Sequence, residues 1–321
     1  MAVNACHGAK LNVSPIGDFT PCMMDRIGDL MHSVAPINEP WCVGWLSHFE
    51  GAHAPGLRDI RATARAMHHI LVAHGTAIQT MRGLGLKNLG GVFNLEWAMP
   101  HTDSDADTAA AEVADGYYNR FFLGGVFKGE YPASVLEGLG PHLPAGWDND
   151  FPMIQSPLDW CGINYYTRRL SKHVGGAWPR EGVATDSPLP KTSMGWDIYP
   201  DALYEFLMRT KSEYTGDLPL FVTENGMSND DVIADGSIDD HIRIAYLNAH
   251  FDAARRAIAG GVPLHGYFVW SLMDNYEWAL GYEKRFGIVH VDFDTLQRTP
   301  KAAYDALKSA LTDVAKQKVL P

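Results

Sequence analysis

Two glutamates, Glu39 and Glu224, each follow a short apolar run that is typical of a buried strand. The run at 218–222 is continuous rather than alternating, as expected for a strand covered on both faces, and Glu224 then precedes an Asn-Gly turn signal. Residues 34–37 lead in the same way into Glu39. Considered alone, Glu224 is equally well explained as a solvated turn residue. Two strand-end carboxylates far apart in sequence, however, are what cleavage of a sugar bond requires, with one on either side of that bond.

The composition describes an ordinary soluble globular chain of 321 residues, with 46% hydrophobic and 20% charged residues. A net charge of −12 argues against nucleic acid or an anionic membrane as a partner, since both need a basic face. No run approaches the roughly 18 apolar residues of a membrane span. The first residues, MAVNACHGAK, have no apolar core of signal-peptide length, so a cytoplasmic location is expected.

Metal and cofactor chemistry have little support in the sequence. The chain has 14 histidines but no H-E-x-x-H motif. His68 and His69 are adjacent, so on a helix they point in different directions and cannot both serve one ion. We therefore expect no metal site.

Short apolar runs alternate with amphipathic segments along the whole chain. The apolar runs predict five strands, at residues 34–37, 87–93, 158–163, 218–223 and 264–270. The helical spacing predicts helices from Thr20-Pro21 to about 31, at 60–84, at 109–122, at 199–214, from Ser237 to 259, and at 301–315. Three segments rich in Gly, Pro or polar residues are predicted to be largely loop, at 42–56, 127–157 and 171–195.

Strands that alternate with helices predict a parallel sheet, and hence the α/β class. Each predicted strand ends in polar or aromatic residues: Asn38-Glu39, Asn94-Leu95-Glu96, Asn164-Tyr165-Tyr166, Glu224-Asn225 and Trp270-Ser271. Functional groups gathered at the carboxyl ends of strands are typical of a barrel. No G-x-G-x-x-G follows any of these strands, which argues against a dinucleotide-binding fold.

Four motifs resemble glycoside hydrolase family 1, the β-glucosidase family, and they occur in the family's order. They are NEPW from Asn38, GINYYTR from Gly162, TENG from Thr223, and WSLMDNYEWALGYEKRFGIVHVD from Trp270. The resemblance runs from about Phe19 to the carboxyl terminus. It implies a (β/α)8 TIM-type barrel and retaining hydrolysis of terminal β-D-glucosyl residues without a cofactor.

The resemblance also implies a role for each matching residue. Glu39 matches the general acid/base, and Glu224 matches the nucleophile. The residues that match sugar-binding or supporting groups are Asn38 (the sugar 2-hydroxyl), Asn164 and Tyr166 (the reacting centre, with Tyr166 on the nucleophile), Trp270 (an aromatic wall), Glu277 and Trp278 (the far hydroxyls), and Phe286 (the lining of the same subsite).

Two details of the motifs favour particular substrates. Relatives that act on 6-phosphorylated sugars replace the Glu-Trp pair, so Glu277-Trp278 favours unphosphorylated glycosides. Thioglucosidases replace the acid/base with Gln, so Glu39 favours O-glycosides. The expected substrates are small β-glycosides such as cellobiose or aryl β-glucosides.

The sequence departs from the family at its amino-terminal end. Family members carry three β/α units before the NEP strand, whereas only about 30 residues precede it here. We therefore expect a single domain with an incomplete barrel of about five family strands, in which 1–18 is an atypical leader and 19–321 is the carboxyl-terminal part of the barrel. Two open sheet edges predict a homo-oligomer. The alternatives are a non-catalytic carbohydrate-binding remnant and a structural fragment that works only in an assembly.

Overall fold

A computed structural model describes residues 15–179 and 182–317, with side chains as far as residue 312. Most of the expected leader lies outside this range. The helices are α1 (Pro15–Ile27), α2 (Ile60–Gly83), α3 (Asp105–Asp115), α4 (Phe121–Leu123), α5 (Ala133–Leu139), α6 (Phe151–Ile154), α7 (Asp201–Thr210), α8 (His241–Ala259) and α9 (Ala302–Gln317). The strands are β1 (Gly90–Pro100), β2 (Trp160–His173), β3 (Gly182–Ala184), β4 (Leu220–Asn225), β5 (Leu264–Val269), β6 (Val289–Val291) and β7 (Arg298–Pro300).

The main sheet has the order β1-β2-β4-β5, and all of these pairs are parallel. The short β3 lies antiparallel on β2, and β6 pairs with β7 in a separate two-stranded sheet. The predicted first strand, at 34–37, contacts the far side of β1 through two isolated parallel bridges, Val34 with Leu89 and Asn38 with Val92. Neighbouring strands therefore follow the chain order, as in a (β/α) barrel, and the predicted fold class is confirmed.

Helices cover one face of this sheet because its strands are buried and apolar. The main core joins the buried centres of β1, β2 and β4 to apolar residues of α2, α4 and α7. Asp59 fixes the start of α2, since its carboxylate accepts hydrogen bonds from the backbone N–H groups of Arg61 and Ala62 at 2.8 and 3.0 Å. The described helices include none that is long and apolar enough to cross a membrane.

The sheet does not close within the part of the chain that the structure describes. There, the 34–38 segment pairs with β1 only, and β5 pairs with β4 only. Phe268 of β5 is 58% exposed, which is unusual for an aromatic residue of a barrel strand. The incomplete barrel predicted from the sequence is thus the observed architecture.

Three local predictions were wrong. The predicted loop after Trp41 is a π-helix over Cys42–Glu50. Helix α1 begins at Pro15 rather than at Thr20-Pro21 and contains Pro21. Helix α8 begins at His241, directly after Asp240, and not at Ser237. The buried Asp240 carboxylate instead accepts hydrogen bonds from Arg243 and from the backbone N–H of Ala303.

Two of the predicted helices continue through π-helical segments. The helix predicted at 109–122 begins at Asp105 and continues to Lys128 through π-helical segments at Gly116–Arg120 and Gly124–Lys128. The helix predicted at 199–214 is α7 followed by a π-helical segment, Lys211–Thr215. Short 3-10 turns occur at Gly28–Leu30, Gly140–His142, Trp147–Asp150 and Trp278–Leu280.

Candidate active site

The register of the sheet brings the strand-end residues to one edge. Asn164 of β2 lies opposite Asn94 of β1 on one side and opposite Glu224 of β4 on the other. Asn38 bridges to Val92 of β1, which places Glu39 at the same edge. Residues 185 positions apart in sequence (224 − 39 = 185) therefore meet because the parallel strands end together.

Two asparagines connect the carboxylates of Glu39 and Glu224. The Asn164 amide donates a hydrogen bond to Glu39 Oε1 at 2.8 Å and another to Asn38 Oδ1 at 3.1 Å. The Asn38 amide donates to Glu224 Oε1 at 3.5 Å. Thr223 donates to Asn164 Oδ1 at 2.6 Å, which fixes the orientation of that amide. The two glutamates thus belong to one hydrogen-bonded network.

Glu39 is held in a strained backbone conformation. Its φ of 52° lies in the left-handed region, which side chains with a Cβ rarely adopt. Strain of this kind costs about 1–3 kcal/mol and concentrates at functional sites. The thiol of Cys42 donates a hydrogen bond to Glu39 Oε2 at 3.2 Å. Burial and the neighbouring Glu39 carboxylate raise the pKa of this thiol well above its usual value, so it stays protonated and able to donate.

The environment of Glu224 balances burial against hydrogen bonding. Burial, followed by the charge of Glu39, raises the pKa of Glu224 from 4.5 to about 7. Hydrogen bonds from Tyr166, Asn38 and Asn164 oppose this rise because they stabilise the ionised form. The Tyr166 hydroxyl donates to Glu224 Oε2 at 2.7 Å. Burial also raises the pKa of Tyr166 well above its usual value, so this hydroxyl remains a donor.

Aromatic and acidic side chains line the same region beyond Glu224. The Tyr166 ring contacts Trp196 and Phe286, with centroids 5.5 and 6.1 Å away. Phe286 is 2% exposed. Burial and the charge of Glu39 raise the pKa of Glu277, which places that carboxylate within electrostatic range of the site, while a hydrogen bond from Trp270 lowers it.

Trp278 differs from the other predicted site residues. It is 69% exposed, has a φ of 46°, and stacks on His53 with ring centroids 5.8 Å apart. Its indole therefore lies at the open side of the site, next to the loop that follows the π-helix. The structure links six of the predicted site residues by a continuous chain of contacts: Asn38, Glu39, Asn164, Tyr166, Glu224 and Phe286. Trp270 and Glu277 are hydrogen-bonded to one another.

Sequence reasoning missed three groups that complete this arrangement. Cys42 and Trp196 contact predicted site residues, and Thr223 orients Asn164. Cys42 follows Glu39 by three residues, which is the spacing of a helical turn, so an expected helix there would have indicated the contact. Trp196 directly follows the segment 171–195 that was predicted to be largely loop, and its sequence context carries no signal for this position.

The sequence suggested that Gly226 serves a turn, but the structure gives this glycine a different role. A Cβ atom at Gly226 would lie 1.8 Å from the carbonyl oxygen of Trp270. The glycine is required by the close approach of these two strand ends, and not by a left-handed turn. It therefore allows the carboxyl ends of β4 and β5 to approach each other closely.

No metal centre accompanies this arrangement in the part of the chain that the structure describes, since no group of three or more His, Cys, Asp or Glu side chains there is arranged to hold an ion. A cavity of about 440 Å³ lies outside the site, between α1 and the turn that follows α2. It is lined by Met24, Gly28, Asp29, Met31, His32, Val34, Leu84, Gly85, Leu86, Lys87 and Asn88.

A parallel (β/α) sheet with two linked carboxylates at the carboxyl ends of its strands defines the glycosidase type of barrel. The chain belongs to glycosyl hydrolase family 1, whose model matches residues 8–314. The match begins ahead of Phe19, where the resemblance was expected to begin.

The similarity to individual family members is substantial. The chain is 41% identical over 301 residues to a β-glucosidase of Agrobacterium sp. (strain ATCC 21400), covering 91% of this chain and 65% of the relative. It is 40% identical over 287 residues to β-glucosidase A of Thermotoga maritima, covering 88% and 64%. The solved structure of a Thermotoga maritima β-glucosidase in complex with deoxynojirimycin superposes with a TM-score of 0.89 at 38% identity, covering 93% of this chain and 67% of that one. The chain therefore spans about two thirds of the length of these relatives.

Proposed function

We propose that this chain hydrolyses terminal β-D-glucosyl residues of small O-β-glycosides, such as cellobiose and aryl β-glucosides, with retention of anomeric configuration. The observation that carries the proposal is the network in which Asn38 and Asn164 connect the carboxylates of Glu39 and Glu224. Such a pair, with one carboxylate ionised and one protonated, is what glycosyl transfer through a covalent intermediate requires.

In the first step, ionised Glu224 attacks the anomeric carbon while Glu39 gives its proton to the departing glycosidic oxygen. The glycosidic C–O bond breaks, and an ester forms between the sugar and Glu224. In the second step, Glu39 removes a proton from water, which attacks the same carbon and releases Glu224 as the carboxylate. The reaction needs Glu224 in its ionised form, and the hydrogen bonds from Tyr166 and Asn38 stabilise that form against the burial and the Glu39 charge that raise its pKa to about 7.

The remaining site residues take supporting roles in this proposal. Tyr166 and Asn38 stabilise the ionised nucleophile. Asn38 also binds the sugar 2-hydroxyl. Trp270 and Phe286 offer aromatic faces to the apolar faces of the ring. Glu277 accepts hydrogen bonds from the far hydroxyls, and Trp278 borders the same end. Deoxynojirimycin binding by the Thermotoga maritima relative supports a sugar-shaped ligand here.

The stereochemical course tests the proposal. If Glu39 and Glu224 act as proposed, their carboxyl groups lie roughly 5–5.5 Å apart in the substrate complex, and an aryl β-glucoside yields the β-anomer of glucose first. Proton NMR of the anomeric signal within the first minutes of reaction measures this. Initial release of the α-anomer, or a carboxyl separation near 9 Å in a crystal structure, contradicts it.

The alternative readings give different results in the same experiment. A carbohydrate-binding remnant binds a glucoside without turnover, and an assembly-dependent fragment becomes active only with another chain. The exposed side chains of Trp278 and Phe268 are the features that favour these two alternatives over a complete enzyme. The expected homo-oligomer stays a prediction, which light scattering at micromolar concentration tests.

A further inference from the structure

A group of six charged side chains lies apart from the candidate active site and connects the loop after β5 to the start of α8 and α9. Its acids are Asp231, Asp240 and Asp274, and its bases are Arg243, Arg285 and Lys301. Five of these side chains are at most 1% exposed, whereas Arg285 is 24% exposed. Three negative charges meet three positive charges, so the cluster is formally neutral, as a buried ionic group must be.

Asp274 is the member of this cluster that holds the loop between β5 and β6, residues 270–288. Its Oδ1 accepts hydrogen bonds from the Gly287 N–H at 2.9 Å and from Lys301 Nζ at 3.0 Å. Its Oδ2 accepts from Arg285 at 3.2 Å and from the Val291 N–H at 3.3 Å. One fully buried carboxylate therefore receives four donors, two of them from the returning arm of the loop and one from β6 directly after it.

The two arms of the 270–288 loop are in direct contact at this point. Ile288 donates its N–H to the carbonyl oxygen of Ser271 at 2.9 Å, and Ser271 donates to that of Phe286 at 3.3 Å. A Cβ atom at Gly287 would lie 2.1 Å from the Asp274 backbone nitrogen. The two arms thus touch through backbone atoms at the base of the loop, and the hydrogen bonds of the Asp274 carboxylate stabilise this contact.

The loop carries residues that the proposed function assigns to the sugar. Glu277 follows Asp274 by three residues, and Phe286 directly precedes Gly287 and packs against Tyr166, which in turn donates to Glu224. Both ends of the sugar-binding segment are thus anchored to the same buried carboxylate. No member of the six-residue cluster itself contacts Glu39 or Glu224 among the described hydrogen bonds and ion pairs.

We propose that Asp274, held by Lys301 and Arg285, is a positioning residue for sugar recognition: it sets where Glu277 and Phe286 stand relative to the reacting carboxylates. This inference rests on the proposed function, since it names the support of that same site. In this proposal Asp274 helps the site to distinguish sugars by the hydroxyls that Glu277 binds, and it takes no part in bond cleavage.

The test compares Asp274→Asn with Asp231→Asn. Both variants remove one buried carboxylate charge from the cluster, but Asp231 hydrogen-bonds no backbone group of the loop. Activity is measured on 4-nitrophenyl β-glucoside and 4-nitrophenyl β-xyloside, which lacks the hydroxymethyl group. In Asp274→Asn the ratio of kcat/KM for glucoside over xyloside is expected to fall about tenfold, through KM more than kcat. In Asp231→Asn this ratio stays unchanged.

A second comparison separates positioning from general destabilisation. If Asp274 acts through Glu277, its substitution lowers the ratio far less in a Glu277→Gln background, because that discrimination is already lost. Equal losses on the two substrates, or additive losses in the double variant, overturn the proposal. If Asp274→Asn does not fold, Arg285→Met is the substitute, because it removes one donor to Asp274 and keeps the carboxylate. It is expected to lower the ratio of glucoside over xyloside as well, but by less.

If the chain turns over neither glycoside, that result counts against the proposed function itself. The positioning role of Asp274 can still be tested without activity. Backbone amide hydrogen exchange then reports the loop directly. The amides of residues 275–287 are expected to exchange faster in Asp274→Asn than in Asp231→Asn, with the amides of β2 and β4 equal in the two variants. Equal exchange across 275–287 overturns the positioning role.

Discussion

Glu224→Gln is expected to lower the turnover of an aryl β-glucoside by at least about 10³-fold while the fold is retained. The amide cannot attack the anomeric carbon, yet it has the same shape, and its oxygen still accepts the hydrogen bond that Tyr166 gives at 2.7 Å. Initial rates with a chromogenic glucoside, together with circular dichroism of both proteins, measure the effect. Turnover within a few-fold of the parent chain contradicts the nucleophile assignment.

Glu39→Gln is the matched control, because it removes the other carboxylate of the same network. Loss of the proton donor slows cleavage of a poor leaving group more than that of a good one. The variant is therefore expected to lose most activity on cellobiose and to keep much of the bond-cleaving step on a dinitrophenyl glucoside. A loss that does not depend on the leaving group contradicts the acid/base assignment.

The second large effect concerns stability, and it needs no turnover. The pKa of Glu224 is raised from 4.5 to about 7 by burial and by Glu39. Between these pH values the folded chain binds more protons than the unfolded chain. The free energy of unfolding is therefore highest at low pH, where Glu224 is protonated, and falls as pH rises through about 7. Glu224→Gln does not titrate, and it is expected to be more stable than the parent above pH 7 by on the order of 3 kcal/mol.

Chemical unfolding of both proteins at several pH values from 4.5 to 8 measures this difference. It is expected to be smallest at pH 4.5 and to reach its full size by about pH 8. Glu205→Gln, on the exposed face of α7, controls for the loss of one acidic charge. If the difference in free energy of unfolding between Glu224→Gln and the parent does not change with pH, the pKa of Glu224 is not raised in the folded chain.

The sequence predicted the parallel sheet because each strand is a continuous apolar run that ends in polar residues. The pattern located β1, β2, β4 and β5 to within a few residues, except that β1 and β2 extend well past their apolar runs into polar residues. The 34–37 strand was predicted from the same pattern, but it forms only two isolated bridges.

The π-helix at Cys42–Glu50 shows where local sequence misleads. Gly44 and His48 are weak helix formers and suggested a loop. In the structure, a Cβ atom at Gly44 would lie 2.6 Å from the Met67 side chain, so the glycine permits close packing on α2. Tertiary contact of this kind outweighs helix propensity, and a single sequence does not show it.

The site was predictable in part because its residues lie in motifs at strand ends. The resemblance implies roles for Asn38, Glu39, Asn164, Tyr166 and Glu224, and the structure adds the contacts among them. The supporting charges were not predictable. Asp274 binds Lys301, 27 residues away, and Arg243 binds Asp231, 12 residues earlier, and these pairs depend on how the loops fold back.

The central claim is that Glu224 forms a covalent bond with a sugar in a site that Glu39 completes. A 2-deoxy-2-fluoro β-glucoside with a dinitrophenyl leaving group tests it most directly, because the fluorine slows both steps of an oxocarbenium-like reaction while the good leaving group preserves the first. Mass spectrometry of the treated protein is predicted to show one added fluoroglucosyl unit, located in the peptide that contains Glu224 and absent from Glu224→Gln. An unmodified protein after prolonged incubation, or a label on any other residue, contradicts the account.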